Sequence, residues 1–259
     1  MKEHLDKKRI LIIGDSIVGG FNNTSERNSF VHQAIANLGL SFEDISRSGM
    51  TTSCFVNYLN NSTNMLLGTP IDETILKEKY DLIIFALGNV DGKQIIVKKN
   101  LFHSFIPGRY KGFSGFIDER PYYTSKQPRR MYQIIENKFR FILKRFALLT
   151  GNLAFPISKE QFEINLKLIT ERLLYDKMVF VSTSATDNRL FPESMERYMF
   201  IDKCIEKLSK KASKNYFIYP LRNALGNEDL LLDRFHPTRD AHTKLSKDFI
   251  SFLKSHVEI

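Results

Sequence analysis

The sequence has little cysteine and no long apolar run. Its 259 residues contain two cysteines, Cys54 and Cys204, which are far apart and match neither a CxxC motif nor a Cys/His ligand spacing. A disulfide framework or a structural zinc site is therefore not expected, and we expect both thiols to be free and buried. No window approaches the roughly 20 apolar residues of a membrane-spanning helix. The N-terminus also shows no signal-peptide pattern, so the sequence predicts a cytoplasmic protein.

The glycine-rich turn "IIGDSIVGG" lacks the spacing of a phosphate-binding motif. Its later glycines, Gly19 and Gly20, fit neither G-x-G-x-x-G nor G-x-x-x-x-G-K-[ST]. The G-x-S-x-G elbow also fails, because Val18 stands where its second glycine belongs. A phospho-acceptor role for Asp15 would bring a second acidic residue close by, and the turn has none. Ser16 remains as the candidate for chemistry.

Strand-like and helical segments alternate along the chain. Continuous runs rich in Ile, Val and Phe are typical of buried parallel strands, and they occur at residues 9–13, 42–45, 81–87, 178–182 and 216–219. Helical periodicity separates them, with a capping box predicted at Ser158 and an N-cap at Thr238. This pattern predicts a single α/β domain over residues 1–259, a three-layer α/β/α sandwich of flavodoxin-like type. Ligands of such sheets bind beyond the carboxyl ends of the strands.

A serine hydroxyl needs a base to become a nucleophile. Among six histidines, His236 in "LLLDRFHPTRDAH" is distinctive because Pro237 biases it away from helical geometry. Asp233 lies three residues earlier, and a turn could bring its carboxylate to the imidazole Nδ1, which would leave Nε2 as the base. Taken alone, the same pattern also fits an Asp-containing turn followed by a helix start.

Four segments in chain order resemble the sequence blocks of the SGNH (GDSL-type) hydrolase superfamily. They are "IIGDSIVGG", "SRSGMTTS", "FALGNVDG" and "DRFHPT", each at a loop where the predicted strands end or the last helix begins. The resemblance implies that Ser16 is the nucleophile, that His236 is the general base and that Asp233 orients the imidazole. It implies no metal and no organic cofactor.

The resemblance also implies an oxyanion hole made of the backbone N–H groups of Ser16 and Gly49 and an asparagine side chain. The third block departs from the usual Gly-x-Asn-Asp, because "LGNVD" has Asn89 directly after the glycine and Val90 at the asparagine position. Either Asn89 still points into the site, or the two backbone amides act without it.

Two aspartates are weaker candidates for substrate binding. They are Asp15, beside the nucleophile, and Asp91, which matches the aspartate of the family's third block. For Asp91 we expect stabilisation of the loop and no part in the chemistry.

The reaction implied by the resemblance is hydrolysis of a carboxylic ester, with an O-acetyl ester on a carbohydrate or glycan precursor as the expected substrate. An O-acyltransferase acting on a glycan would use the same residues. A non-catalytic glycan-binding or scaffolding module that keeps the fold is the alternative from another class.

A basic insertion at residues 93–157 interrupts the alternation. Residues 93–145 contain thirteen Lys and Arg against three acidic residues, although the whole chain has a net charge of +9. The segment "FHSFIPGRYKGFSGFIDERPYY" is expected to be irregular, and "RRMYQIIENKFRFILKRFALL" predicts a long basic amphipathic helix.

Three roles fit this insertion: a lid for an acidic glycan or nucleotide sugar, a membrane-surface helix, or a helical hairpin that packs on the body or on a second subunit with its charges in water. No nucleic acid partner is expected, because the basic residues follow no recognised module.

Overall fold

Five parallel strands form the central sheet of the structure, a computed structural model that describes residues 8–19, 29–61, 65–66, 69–70, 73–96, 104, 123–186, 191, 193–211 and 215–259. The strands are β1 (Ile10–Gly14), β2 (Phe42–Asp44), β3 (Lys79–Ala86), β4 (Leu174–Val181) and β5 (Asn215–Tyr219). Their spatial order is β2-β1-β3-β4-β5, with every neighbouring pair parallel. The chain order therefore reverses direction between β1 and β3, where open sheets of this kind bind ligands.

Within the described residues, six α-helices accompany this sheet: α1 (Phe30–Asn37), α2 (Thr52–Asn61), α3 (Gln127–Leu149), α4 (Lys159–Arg172), α5 (Ser194–Lys211) and α6 (Arg239–Phe252). Helix α1 packs against α6, and α2 and α5 both pack against α4. The predicted three-layer α/β/α sandwich is thereby confirmed.

Shorter elements complete the described part of the chain. Turns of 3-10 helix occur at Glu73–Lys77, Leu221–Ala224 and Asn227–Asp229, and a π-helical turn at Leu253–Val257 ends the last helix. Met65–Leu66 pairs in antiparallel fashion with Thr69–Pro70.

The strand predictions agree with the structure because the strands β1 and β3 are buried on both faces of the sheet. Every residue of β1 is buried, and so are the last five of β3. The largest difference is at β4, which begins four residues before the predicted 178. Its first residues alternate between exposed and buried positions and so lack a continuous apolar run.

Of the two predicted helix caps, the N-cap at Thr238 is confirmed, and the capping box at Ser158 is confirmed in one of its two hydrogen bonds. The Thr238 hydroxyl accepts the backbone N–H of Ala241, as predicted. Ser158 accepts the N–H of Gln161 in the same way. The reciprocal half of the predicted capping box is absent, because the Gln161 side chain donates to Asn165 instead.

The predicted long helix of the insertion is confirmed as α3. At the base of the insertion, Ile95–Ile96 pairs with Leu153–Ala154 as a short antiparallel ribbon. Most of the aromatic segment that we expect to be irregular lies outside the described residues. The packing interpretation of α3 placed its charges in water, whereas the structure buries Glu136 and Lys144 on its inner side.

The two thiols are free, as expected, although only Cys204 is buried and Cys54 is half-buried. In the described parts of the chain, no helix is both long enough and apolar enough to cross a membrane.

Candidate active site

Ser16 lies just beyond the carboxyl end of β1. The strand ends at Gly14, and the Asp15 carbonyl then accepts the backbone N–H groups of Val18 and Gly19, which closes a tight turn. The Asp15 carboxylate accepts the Ile17 N–H at 2.9 Å and so stabilises the same turn. The turn therefore holds Ser16 at the edge of the sheet where the chain order reverses.

The structure brings Ser16, His236 and Asp233 into one hydrogen-bonded chain. The Ser16 Oγ lies 2.8 Å from His236 Nε2, although 220 residues separate the two in sequence. On the other side of the ring, His236 Nδ1 lies 2.6 Å from Asp233 Oδ2. All three side chains are buried, at 4–8% exposure.

A local turn brings the Asp233 carboxylate to the His236 ring, three residues later in the sequence. The second carboxylate oxygen of Asp233 accepts the backbone N–H groups of Phe235 and His236, both at 3.1 Å. Between them, Arg234 adopts a left-handed conformation with φ of 56°. One carboxylate thus fixes both the backbone of the turn and the imidazole ring.

The charge on Asp233 determines which nitrogen carries the proton. Burial opposes ionisation, but the adjacent His236, its hydrogen bonds and Lys93 together hold the pKa of Asp233 below its ordinary value. An ionised carboxylate can only accept, so Nδ1 carries the hydrogen and Nε2 is left as an acceptor. The arrangement can therefore remove a proton from the Ser16 hydroxyl.

Gly49 lies in the loop after β2, close to the end of β1. The N–H of Arg47 donates to the Gly14 carbonyl at 2.9 Å, which fastens this loop beside the Ser16 turn. Gly49 has a φ of 78°, and a side chain added there would have open space around it. Among the described residues, the backbone N–H groups of Gly49 and Ser16 have no hydrogen-bond acceptor.

Asn89 occupies a buried position beneath the site. Its Oδ1 accepts the backbone N–H of Ser184 at 2.7 Å. Its carbonyl accepts the Tyr198 hydroxyl. Because Oδ1 accepts from Ser184, Nδ2 is the donor that the side chain offers, and a place for Asn89 in the oxyanion hole stays a prediction.

Asp15 and Asp91 are fully buried, so neither lies where a substrate could touch it. This corrects their assignment as substrate-binding residues. The Asp91 carboxylate accepts the backbone N–H and the hydroxyl of Thr52 at the start of α2. It therefore stabilises the loop, which is the role that we expect for it.

Burial also perturbs the acidity of these two carboxyls. It raises the pKa of Asp15 to about 7, against a hydrogen bond from Ile17 that lowers it. Burial likewise raises the pKa of Asp91 to about 6, and the hydrogen bonds from Thr52 oppose that rise.

Sequence reasoning missed Lys93, which we counted only as one of the charges of the insertion. It is buried, and its Nζ lies 4.0 Å from the centroid of the Phe235 ring, beside His236. No motif signals this residue, because its position depends on the turn at Asp233. Among the described residues, no group of three His, Cys, Asp or Glu side chains could hold a metal ion.

Solved structures match the chain over nearly its whole length, although no protein-family model and no curated protein matches the sequence. A lipase/acylhydrolase from Enterococcus faecalis is 15% identical with a TM-score of 0.57, and the match covers 95% of each chain. An acetylxylan esterase from Geobacillus stearothermophilus is 13% identical with a TM-score of 0.51, over 94% of this chain and 93% of that one.

An alpha/beta hydrolase enzyme from the metagenome of Lake Arreo, Spain, is 14% identical with a TM-score of 0.51, over 94% of both chains. At such identities the likeness establishes the fold alone. It confirms the SGNH hydrolase fold that the four sequence blocks predict.

Proposed function

Given a fold shared with SGNH hydrolases, we propose that this chain is a serine hydrolase that cleaves a carboxylic ester through an acyl-enzyme. The observation that supports this most directly is the hydrogen-bonded chain from Ser16 through His236 to Asp233. Similar geometry serves acyl transfer on several unrelated folds, because it supplies a nucleophile, a base and an orienting carboxylate together.

In the acylation step, the Ser16 Oγ attacks the ester carbonyl carbon while His236 Nε2 takes its proton. The imidazolium then gives that proton to the leaving alcohol as the carbon–oxygen bond breaks. Asp233 stabilises the imidazolium by its charge and holds the ring in place. Water activated by His236 then attacks the acyl-enzyme, and the acid leaves as Ser16 recovers its proton.

The oxyanion is stabilised by the backbone N–H groups of Ser16 and Gly49. Both groups lie at the same edge of the sheet, and neither has an acceptor within the described residues. A donor of this kind is worth about 3 to 4 kcal/mol of barrier. Asn89 also joins the loop after β3 to the loop after β4, because its Oδ1 accepts the Ser184 N–H.

The substrate that we propose is a small acyl ester, an O-acetyl group on a carbohydrate or glycan precursor. The support for it is that one solved structure of the same fold is named as an acetylxylan esterase.

The proposal is tested by turnover of p-nitrophenyl acetate. We expect Ser16→Ala to lose about 10⁴-fold or more in kcat/KM, since it removes the nucleophile. Ser46→Ala is the matched control, because it removes another buried hydroxyl at this edge that has no partner in the described structure. Equal rates for the wild type and Ser16→Ala would contradict a serine hydrolase and favour a binding module.

The acyl group is tested with p-nitrophenyl esters of increasing chain length. We expect kcat/KM to fall from acetate to butyrate to octanoate. An acetylated xylo-oligosaccharide then tests the carbohydrate, with released acetate as the readout. Acetyl transfer to an added sugar in place of acetate release would identify a transferase.

A further inference from the structure

The helix α3 presents apolar side chains to solvent along one line. Met131, Ile135, Ile142 and Leu149 are each exposed by more than 60%, and Phe139 and Phe146 beside them are about half exposed. With about 100° between successive helical residues, these six positions fall within roughly 80° of arc. We call these six residues the apolar stripe.

The inner side of α3 is polar, which reverses the usual arrangement of a surface helix. Gln133 accepts the Thr124 N–H at 2.7 Å, and Asn137 donates to the Tyr123 hydroxyl at 3.3 Å. The Lys144 Nζ lies 3.4 Å from the centroid of the Phe191 ring. Polar contacts therefore attach α3 to the protein, and its apolar side is left outward.

The charges on the outer side of α3 are all positive. Glu136 is the sole acidic residue of the helix sequence, and it is buried and paired with Arg140. Lys138 and Arg145 are exposed and fall along one border of the apolar stripe. A helix with an apolar face, a basic border and no exposed acid is typical of segments that lie in the surface of an anionic membrane.

We propose that α3 docks on the surface of a bilayer that contains anionic phospholipid. The apolar stripe enters the boundary between headgroups and acyl chains, and Lys138 and Arg145 contact lipid phosphates. A second copy of this chain fits the same face poorly, because two such faces would bring like charges together with no exposed acid of α3 to pair them.

The docked helix would lie close to the candidate active site. On its inner side, Lys144 contacts Phe191, whose ring centroid lies 6.3 Å from that of Phe235, the neighbour of His236. Docking would therefore bring Ser16 near the membrane surface. The docking itself does not depend on the proposed hydrolysis.

Co-sedimentation with vesicles tests this proposal on the full chain. We expect binding to phosphatidylcholine vesicles that contain phosphatidylglycerol to exceed binding to pure phosphatidylcholine by about tenfold or more. The double substitution Ile135→Glu/Ile142→Glu should lower binding to the anionic vesicles by at least about tenfold. Ile164→Glu is the matched control, because Ile164 is a similarly exposed apolar residue on α4 and should leave binding unchanged.

The charges are tested separately. Lys138→Glu/Arg145→Glu should weaken binding to anionic vesicles by about tenfold or more, whereas Lys247→Glu, on the exposed side of α6, should not. Thermal unfolding and p-nitrophenyl acetate turnover of each variant check that the fold is retained.

Two outcomes would overturn the proposal. One is equal binding by the wild type and Ile135→Glu/Ile142→Glu. The other is a wild type that does not bind anionic vesicles but sediments as a dimer, while Ile135→Glu/Ile142→Glu sediments as a monomer. That result would assign the face to a second copy of the chain.

Discussion

The hydroxyl and the backbone N–H of Thr52 both donate to the Asp91 carboxylate, at 2.7 and 3.0 Å. This contact joins the loop after β3 to the start of α2, which begins three residues after Gly49. The position of the Gly49 N–H therefore depends on a carboxylate that lies about 40 residues away in sequence.

Replacing Asp91 should loosen this junction. We expect Asp91→Ala to lower the free energy of unfolding by about 2 to 4 kcal/mol, because buried donors lose their acceptor. Thr52→Val, which removes only the hydroxyl, should cost about 1 kcal/mol. Urea unfolding measures both, and a loss for Asp91→Ala no larger than that for Thr52→Val would contradict this role.

Gly49→Ala separates backbone strain from catalysis. Both Gly49 and Gly39 have positive φ, at 78° and 71°, with open space where a Cβ would be added. Each alanine substitution should therefore cost about 1 to 2 kcal/mol of stability. In Gly49→Ala alone we expect kcat for p-nitrophenyl acetate to fall as well, since the strained turn would point the backbone N–H of residue 49 away from the oxyanion. Similar kcat values in the two variants would argue against a donor at Gly49.

Asn89→Ala tests whether the oxyanion hole needs a side chain. Since the Ser184 N–H would lose its acceptor, we expect a loss of about 1 to 3 kcal/mol in the free energy of unfolding. The fall in kcat should stay below about tenfold, whereas loss of a direct oxyanion donor costs about 10² to 10³. Steady-state kinetics at a temperature where the variant is fully folded gives the answer, and a fall of the larger size would identify Asn89 as a direct oxyanion donor.

Asp15 should make stability depend on pH. Its pKa is raised on folding to about 7, so the folded chain holds a proton that the unfolded chain has released. The free energy of unfolding should then fall as pH rises from about 4 to about 7. In Asp15→Asn the fall should be much smaller, because the raised pKa of Asp91, about 6, and the lowered pKa of His242, about 4, change stability in opposite directions over the same pH range. Urea unfolding at several pH values measures the difference, and parallel curves would exclude Asp15 as its source.

The sheet and its order of elements could be predicted from the sequence because buried parallel strands are apolar on both faces. β1 and β3 show this pattern plainly. The Asp233 and His236 pair was also accessible, since three residues of spacing fit a single turn. The pairing of Ser16 with His236 was harder to predict, because the sequence indicates that base only through the order of the four blocks.

Features that depend on distant partners could not be predicted. The orientation of Asn89 is set by Ser184, on the loop after β4. The burial of Lys93 depends in a similar way on the Phe235 ring. For α3, the periodicity predicts an amphipathic helix but not which side packs on the protein, which is decided by partners such as Tyr123 and Phe191.

The ribbon between Ile95–Ile96 and Leu153–Ala154 brings the two ends of the insertion side by side. The chain therefore leaves the sandwich and returns to it at one point, so the length of what lies between hardly constrains β3 or α4. A short hairpin could take the place of residues 97–152 without rerouting the host fold. Such a junction allows the length of the surface element to change while the connections of the host strands and helices stay as they are.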